Sequence, residues 1–187
     1  MKYLYVGATS DIRAEADREA LRIIAGRMEA EFAAPVREIE LPPVEFAFDP
    51  GRRQYGSIPV LELLTRLCPA DALKLLAVTS RDLFIPVLTF VYGHAQLGGP
   101  VSLVSLERLK QEFYGFPPNR DVFLGRATKE ALHEVGHTFG LVHCADRSCA
   151  MALATNIRQI DSKQAAFCEA CKGRLRRQVE QASRPVH

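Results

Sequence analysis

An α/β fold, with a mainly parallel sheet between helices, is predicted by three features of the sequence. Strand-like and helix-like patterns alternate through the first half of the chain, the arrangement that parallel strands with crossover helices require. The stretch Leu73 to Val78 is apolar except for Lys74, which suits a strand buried on both faces. Two later strand-like runs, Leu88 to Tyr92 and Val101 to Leu106, are joined by the turn-rich GHAQLGGP. So short a connection places an antiparallel member near the sheet edge and gives a three-layer sandwich.

The elements follow in order. Tyr3 to Val6 is a short apolar run and reads as a buried strand. Ile12 to Phe32 sets Leu21, Ile24, Ala25, Met28 and Phe32 at helical spacing among many Arg and Glu, so a surface helix packs on that strand. Val36 to Leu41 alternates apolar and charged residues, as a second strand does, and Pro42 and Pro43 end it. A loop runs through Pro50, Gly51 and Gly56, and Ser57 is placed to cap a helix from Ile58 towards Leu67, stopped by Pro69. After Pro117, Pro118 and Asn119, residues Asp121 to Phe139 form a long helix with Val122, Leu124, Ala127, Ala131, Leu132 and Val135 on its apolar side. Beyond Gly140 the chain turns to small residues and cysteines. A last helix from about Ser162 carries Lys172, Arg174, Arg176 and Arg177, diluted by Glu169 and Glu180 into a solvated face. The expected organisation is 1–140 as an N-terminal α/β subdomain that includes the long Asp121 to Phe139 helix, and 141–187 as a C-terminal subdomain.

Composition narrows the classes of partner. With 187 residues, 48% hydrophobic and 25% charged, the chain is long and apolar enough for one proper core. A net charge of +2 makes no case for nucleic acid or an acidic membrane surface. The apolar run in MKYLYVGATSDIR is too short for a secretory signal, and no stretch reaches the length of a transmembrane helix. A cytoplasmic monomer with reduced thiols is expected.

Chemistry concentrates in HEVGHTFGLVHC, residues 133 to 144, which holds three of the five histidines. His133 and His137 are four apart, so on a helix they lie about 40° apart on one face and both reach one ion. Glu134 projects about 100° round from His133, near enough to hold a metal-associated water without being a ligand. On a continued helix His143 would lie about 15 Å further along than His133. Gly140 removes that obstacle, because glycine tolerates left-handed angles and lets the chain turn back. Three neutral imidazoles and one open position make a catalytic zinc site. HExxH alone also recurs by accident on helices with surface histidines; Gly140 and His143 at the needed positions favour the metal. His94, near the expected edge strand, reads as a surface or hydrogen-bonded histidine rather than a cleft residue.

Cys144, Cys149, Cys168 and Cys171 are spaced C-x4-C and C-x2-C, a structural zinc pattern in which four thiolates close the tetrahedron. The residues between them lack the large side chains of a core, so a metal would supply folding energy. Two disulfides are the competing reading, disfavoured in a reducing compartment. Cys68, beside Pro69, reads as a small hydrophobe.

The string HEVGHTFGLVHCADRSCAM followed by FCEAC resembles the archaemetzincins, zinc-dependent metallopeptidases with HExxHxxGxxH, then C-x4-C-x-M, then C-x2-C. QYGSIPVLELL, LAVTSRDLFIPVLTFVYGHAQLGG and VSLVSLERL extend the similarity upstream, leaving the first 50 residues least specific. The resemblance implies a zincin-like (metzincin) sandwich with a small zinc-stapled C-terminal part. Its antiparallel edge strand, about Leu88 to Ala95, borders the cleft and can pair with an extended peptide. It also implies that Met151 is the Met-turn methionine beneath the catalytic zinc. Some metzincins place a tyrosine just after the Met-turn; MALATN has none.

The expected function is hydrolysis of peptide bonds in a peptide or protein substrate by zinc-activated water, with Glu134 as general base and two Zn2+ per chain, one catalytic and one structural. Two rivals stand beside it: a zinc-bearing interaction protein with little turnover, and zinc hydrolysis of a non-peptide bond by the same residues. Retention of Glu134 speaks against the first.

Overall fold

Side chains that alternate across each strand build two cores, one on each face of a single sheet. The computed structural model describes residues 2–183. Its main sheet contains β1 (Tyr3–Ala8), β2 (Val36–Glu40), β5 (Ala72–Thr79), β7 (Gly93–Ala95) and β8 (Val101–Ser105) in the order β2-β1-β5-β8-β7. Neighbouring strands are parallel except β7, which runs antiparallel to β8 at the edge with His94 opposite Leu103. Helices α1 (Glu15–Phe32) and α3 (Arg120–Thr138) cover one face, and α2 (Ser57–Leu67) covers the other. Leu4, Val6, Leu76, Val78 and Val104 point into the α1/α3 layer, whereas Tyr5, Leu75, Ala77, Val101 and Leu103 point towards α2. β5 and β8 are thus buried on both sides, as their apolar runs predict.

Phe32, at the end of α1, ties the helical layer together. Its ring stacks on Phe139 at 5.4 Å and meets Phe167 edge-on at 5.7 Å. One aromatic cluster therefore joins α1, the end of α3 and the segment before the last cysteines. Cys149, Ala150, Met151, Ile160 and Leu175 belong to this same core, so the C-terminal part packs directly on the α/β layers.

Several local expectations are corrected. Leu88 to Tyr92 is no strand: the segment turns at Leu88, and Val91 bridges back to Leu83, so only Gly93–Ala95 extends the sheet. Val87 and Leu88 stand exposed instead of filling a layer. The loop before α2 holds β3 (Phe48–Asp49) and β4 (Gln54–Gly56), which form a small second sheet with β6 (Leu83–Phe84). Strands this short leave no periodicity to read. Ser57 caps nothing; Gly56 precedes the helix, and the buried Ser57 hydroxyl contacts the Phe84 carbonyl oxygen and His94 Nδ1 at 2.8 Å. The last helix starts at Glu169 and not near Ser162: a short helix, α4 (Ile157–Ser162), ends there, and α5 (Glu169–Ser183) follows after a break. Arg174, Arg176 and Arg177 are exposed on α5 as expected. Positions 1 and 184–187 of the two expected subdomains lie outside the described residues.

Truncating Phe32 to alanine should cost about 3–5 kcal/mol, because the cluster cannot collapse from three elements at once. Denaturant unfolding should show the lowered midpoint with an unchanged slope.

Candidate metal centres and the active-site cleft

The histidine site depends on how α3 begins and ends. Asn119 Oδ1 accepts the Val122 N–H at 3.1 Å and caps the start. At the other end Gly140 has φ +82°, its N–H reaches the His137 carbonyl at 2.9 Å, and Leu141 N–H reaches the Gly136 carbonyl at 3.1 Å. These paired bonds with a left-handed glycine stop the helix and reverse the chain. His143, the exposed third histidine, thereby returns to its partners: its ring centroid lies 5.4 Å from that of His133 and 5.1 Å from that of His137.

The ring nitrogens can be assigned from their partners. His133 Nδ1 lies 2.8 Å from the Ala150 carbonyl oxygen and His137 Nδ1 lies 2.7 Å from that of Leu141. A carbonyl only accepts, so both Nδ1 atoms carry hydrogen and both Nε2 atoms present lone pairs in the neutral rings. Those Nε2 atoms face each other at 3.0 Å. Burial pushes the His133 ring far below the ordinary histidine range, with the Lys163 ammonium adding to it, and burial also lowers His137 and His143. Unprotonated nitrogens so arranged repel one another unless a cation lies between them. Ligands of one tetrahedral zinc stand about 3.3 Å apart, so the geometry fits that ion. One ligand atom from each of the three histidines lies within 4.8 Å of the others.

Glu134 is almost wholly enclosed, and burial raises its carboxyl well above the usual range; Glu130 adds to the rise and Lys163 opposes it. Its carboxylate accepts no hydrogen bond among the described residues, yet it is not sealed from the cleft. Gly93 on β7 makes room for it: a Cβ there would stand 2.5 Å from Glu134 Cγ and 2.7 Å from Oε1. On α3 itself, Gly136 admits the Met151 sulfur so closely that a Cβ would collide with it. Met151 is fully buried there, with Phe167 alongside.

The four cysteines also converge. Their sulfurs lie within 4.8 Å of one another, and Cys144 Sγ is 3.8 Å from Cys168 Sγ, the spacing of about 3.8 Å expected for two thiolates on one zinc. All are unpaired thiols in this structure, so the disulfide alternative finds no support in the geometry. Backbone N–H groups of Met151 and Cys168 point at Cys149 Sγ at 3.4 and 3.3 Å. The Cys171 backbone N–H, above all, lowers the Cys168 thiol. Such donors favour thiolate, while burial pushes the Cys149 and Cys171 thiols up. Cys68 ends α2 and packs partly on the α2-side core, as expected of a small hydrophobe.

A cleft of about 530 Å³ lies between β7 and α3, bordered by the three histidines, Glu134, Leu97, Val142 and Leu153. His94 borders it too, but its ring is held by Ser57, in keeping with a hydrogen-bonded histidine. Two further residues, unremarked in the sequence, belong to this region. Glu130 lines the cleft one turn before Glu134, and its Oε1 accepts from the buried Lys163 Nζ at 3.1 Å. The position of Glu130 on the helix face shared by His133, Glu134 and His137 was a usable signal. Nothing in the sequence pointed to Lys163. Arg126, which clasps Asp161 with two 2.7 Å bonds, and Lys129, which donates to the Ile160 and Asp161 carbonyls, complete the seam between α3 and residues 160–163.

Comparison with known proteins places this geometry among relatives. A family model described as Peptidase family M54 matches residues 64–177. The archaemetzincin of Methanocaldococcus jannaschii is 41% identical over 130 residues, covering 70% of this chain and 70% of that protein. The archaemetzincin of Pyrococcus furiosus is 41% identical over 132 residues, 69% of this chain and 68% of its own. Among solved structures, archaemetzincin from Methanopyrus kandleri superposes with a TM-score of 0.82 at 30% identity, covering 96% of each chain. A zinc-dependent peptidase from Methanocorpusculum labreanum gives 0.80 at 31% identity, covering 92% of this chain and 99% of that one.

Gly136→Ala should destabilise the protein by about 1–3 kcal/mol, since its methyl group would meet the Met151 sulfur. Gly125→Ala, on the same helix with open space around it, should instead be neutral or stabilise by up to about 1 kcal/mol. Urea unfolding of both variants measures the contrast.

Proposed function

The chain belongs to peptidase family M54 and is a zinc-dependent metallopeptidase, and from that footing we propose that it cleaves peptide bonds with Glu134 as general base. His133, His137 and His143 would hold the catalytic zinc. Cys144, Cys149, Cys168 and Cys171 would hold a second, structural zinc, making two ions per chain. The observation that carries the reading is the pair of Nε2 lone pairs at 3.0 Å beside a buried carboxylate without a partner among the described residues. Zinc supplies a Lewis acid that acidifies water and polarises the scissile carbonyl. Glu134 takes a proton from the attacking water on its free carboxylate oxygen and hands it to the departing amine nitrogen. Gly93 keeps that carboxylate at the β7 backbone, and the Ala150 and Leu141 carbonyls fix the tautomers of His133 and His137. Met151 packs behind the site against Gly136.

The outer edge of β7 supports binding of substrate as an added antiparallel strand, where main-chain bonds supply affinity. In this reading residues 1–140 supply the sheet and active-site helix, and 141–187 form a stapled subdomain. Monomeric, cytoplasmic action on peptides, without nucleic acid, is the accompanying proposal; its support is the small net charge and the free thiols. No helix among the described residues is long and apolar enough to cross a membrane.

Glu134→Gln should keep its metal and lose peptide turnover by about 10²–10⁴-fold. Turnover equal to the parent's in that variant, with zinc still bound, would refute the general-base assignment. Gly93→Ala should lower kcat/KM by about 10–100-fold through displaced Glu134, without loss of metal. Zinc content of two per chain should fall to one after Cys144→Ser with Cys149→Ser. A single zinc in the parent would sink the two-site scheme.

A further inference from the structure

Glu130 and Lys163 form a buried ion pair that takes no part in the steps above, yet its carboxylate lies in the wall of the cleft. We propose that Glu130 determines specificity: its open oxygen, beyond Glu134, is a subsite for a substrate side chain ending in an N–H or O–H donor. The proposal rests on the peptidase reading and names the side chains that this same site selects.

The placement follows from how β7 lies along α3. Gly93 stands against Glu134, and Gly98, further along the chain, donates its N–H to the His137 carbonyl at 2.9 Å. The chain before Gly93 therefore passes the Glu130 end of the helix, so Phe90 and Tyr92 border the cleft there. Leu153, Ala154 and Thr155, just beyond Met151, also line the cleft. Most of this lining is apolar, and an acceptor set into it decides which side chain enters.

Glu130 has that acceptor. Its residue surface is only 4% exposed, and Oε1 is occupied by Lys163 Nζ, whose side chain is 1% exposed. The other oxygen accepts no hydrogen bond among the described residues, yet it is not sealed off as a buried atom. The ammonium balances the charge and, by fixing one oxygen, aims the second. A donor arriving there gains a hydrogen bond to a charged group. A hydrocarbon tip leaves the carboxylate desolvated without a partner, and a carboxylate tip meets like charge.

The experiment measures binding and so does not depend on turnover. Four short peptide hydroxamates, identical except for a Gln, Arg, Leu or Glu side chain next to the hydroxamate, are titrated into the zinc-loaded full chain. Gln and Arg should bind at least tenfold tighter than Leu, with Glu weakest; their mutual order tells a neutral donor from a cationic one. Glu130→Gln retains an oxygen for Lys163 and offers an N–H in place of the open acceptor, so Glu should move from weakest to tightest. Leu binding as well as Gln, or an unchanged order in a Glu130→Gln protein that melts like the parent, overturns the subsite. If that variant does not fold, the order in the parent decides alone. Binding by all four with equal Kd overturns only the subsite, whereas binding by none removes the peptidase reading and the subsite with it.

Discussion

The reversal of the chain at Gly140 is the constraint on which the site depends. Only a residue at ease with φ +82° lets α3 stop while its last carbonyls stay bonded. Without that turn His143 would continue away along the helix, and two histidines on one face would remain an incomplete set. The same turn brings the Leu141 carbonyl to His137 Nδ1, so one backbone event both recruits the third imidazole and orients the second.

The cleft is an unusual concentration of enclosed ionisable groups. Glu130, His133 and Glu134 are buried within two turns of α3, and Lys163 arrives from outside the helix. Burial lowers the imidazoles and raises the carboxyls, so each is biased against its charged form. A divalent cation would favour the ionised carboxylates and keep the imidazoles neutral as ligands, which is why such a cluster suits a metal. The Arg126–Asp161 clasp and the Lys163–Glu130 pair hold residues 160–163 on the helix, and that segment lies between the two cysteine pairs.

Much of this was legible in the sequence, for identifiable reasons. Strong periodicity gave α1, α3 and the two-faced strands, and spacing alone brought the histidines and the cysteines together. Weak periodicity hid β3, β4 and β6, whose two or three residues carry no pattern. The apolar run Leu88 to Tyr92 misled because Leu88 stands exposed along the cleft, while Tyr92 is buried and Phe90 and Val91 reach the cores in part without strand pairing to set a period. Gly93 was readable in principle, since a glycine inside a strand often marks close approach of another group. Lys163 was not, because its partner Glu130 is fixed by the fold and not by spacing.

The Ala150 carbonyl that holds His133 sits between Cys149 and Met151, and His143 adjoins Cys144. Two of the three imidazoles therefore take their bearings from a segment whose Cys149, Ala150 and Met151 are buried in the helical core. Slackening of that segment would reach the His133 ring through the Ala150 carbonyl, loosening how the imidazole is aimed while leaving all three histidines in place.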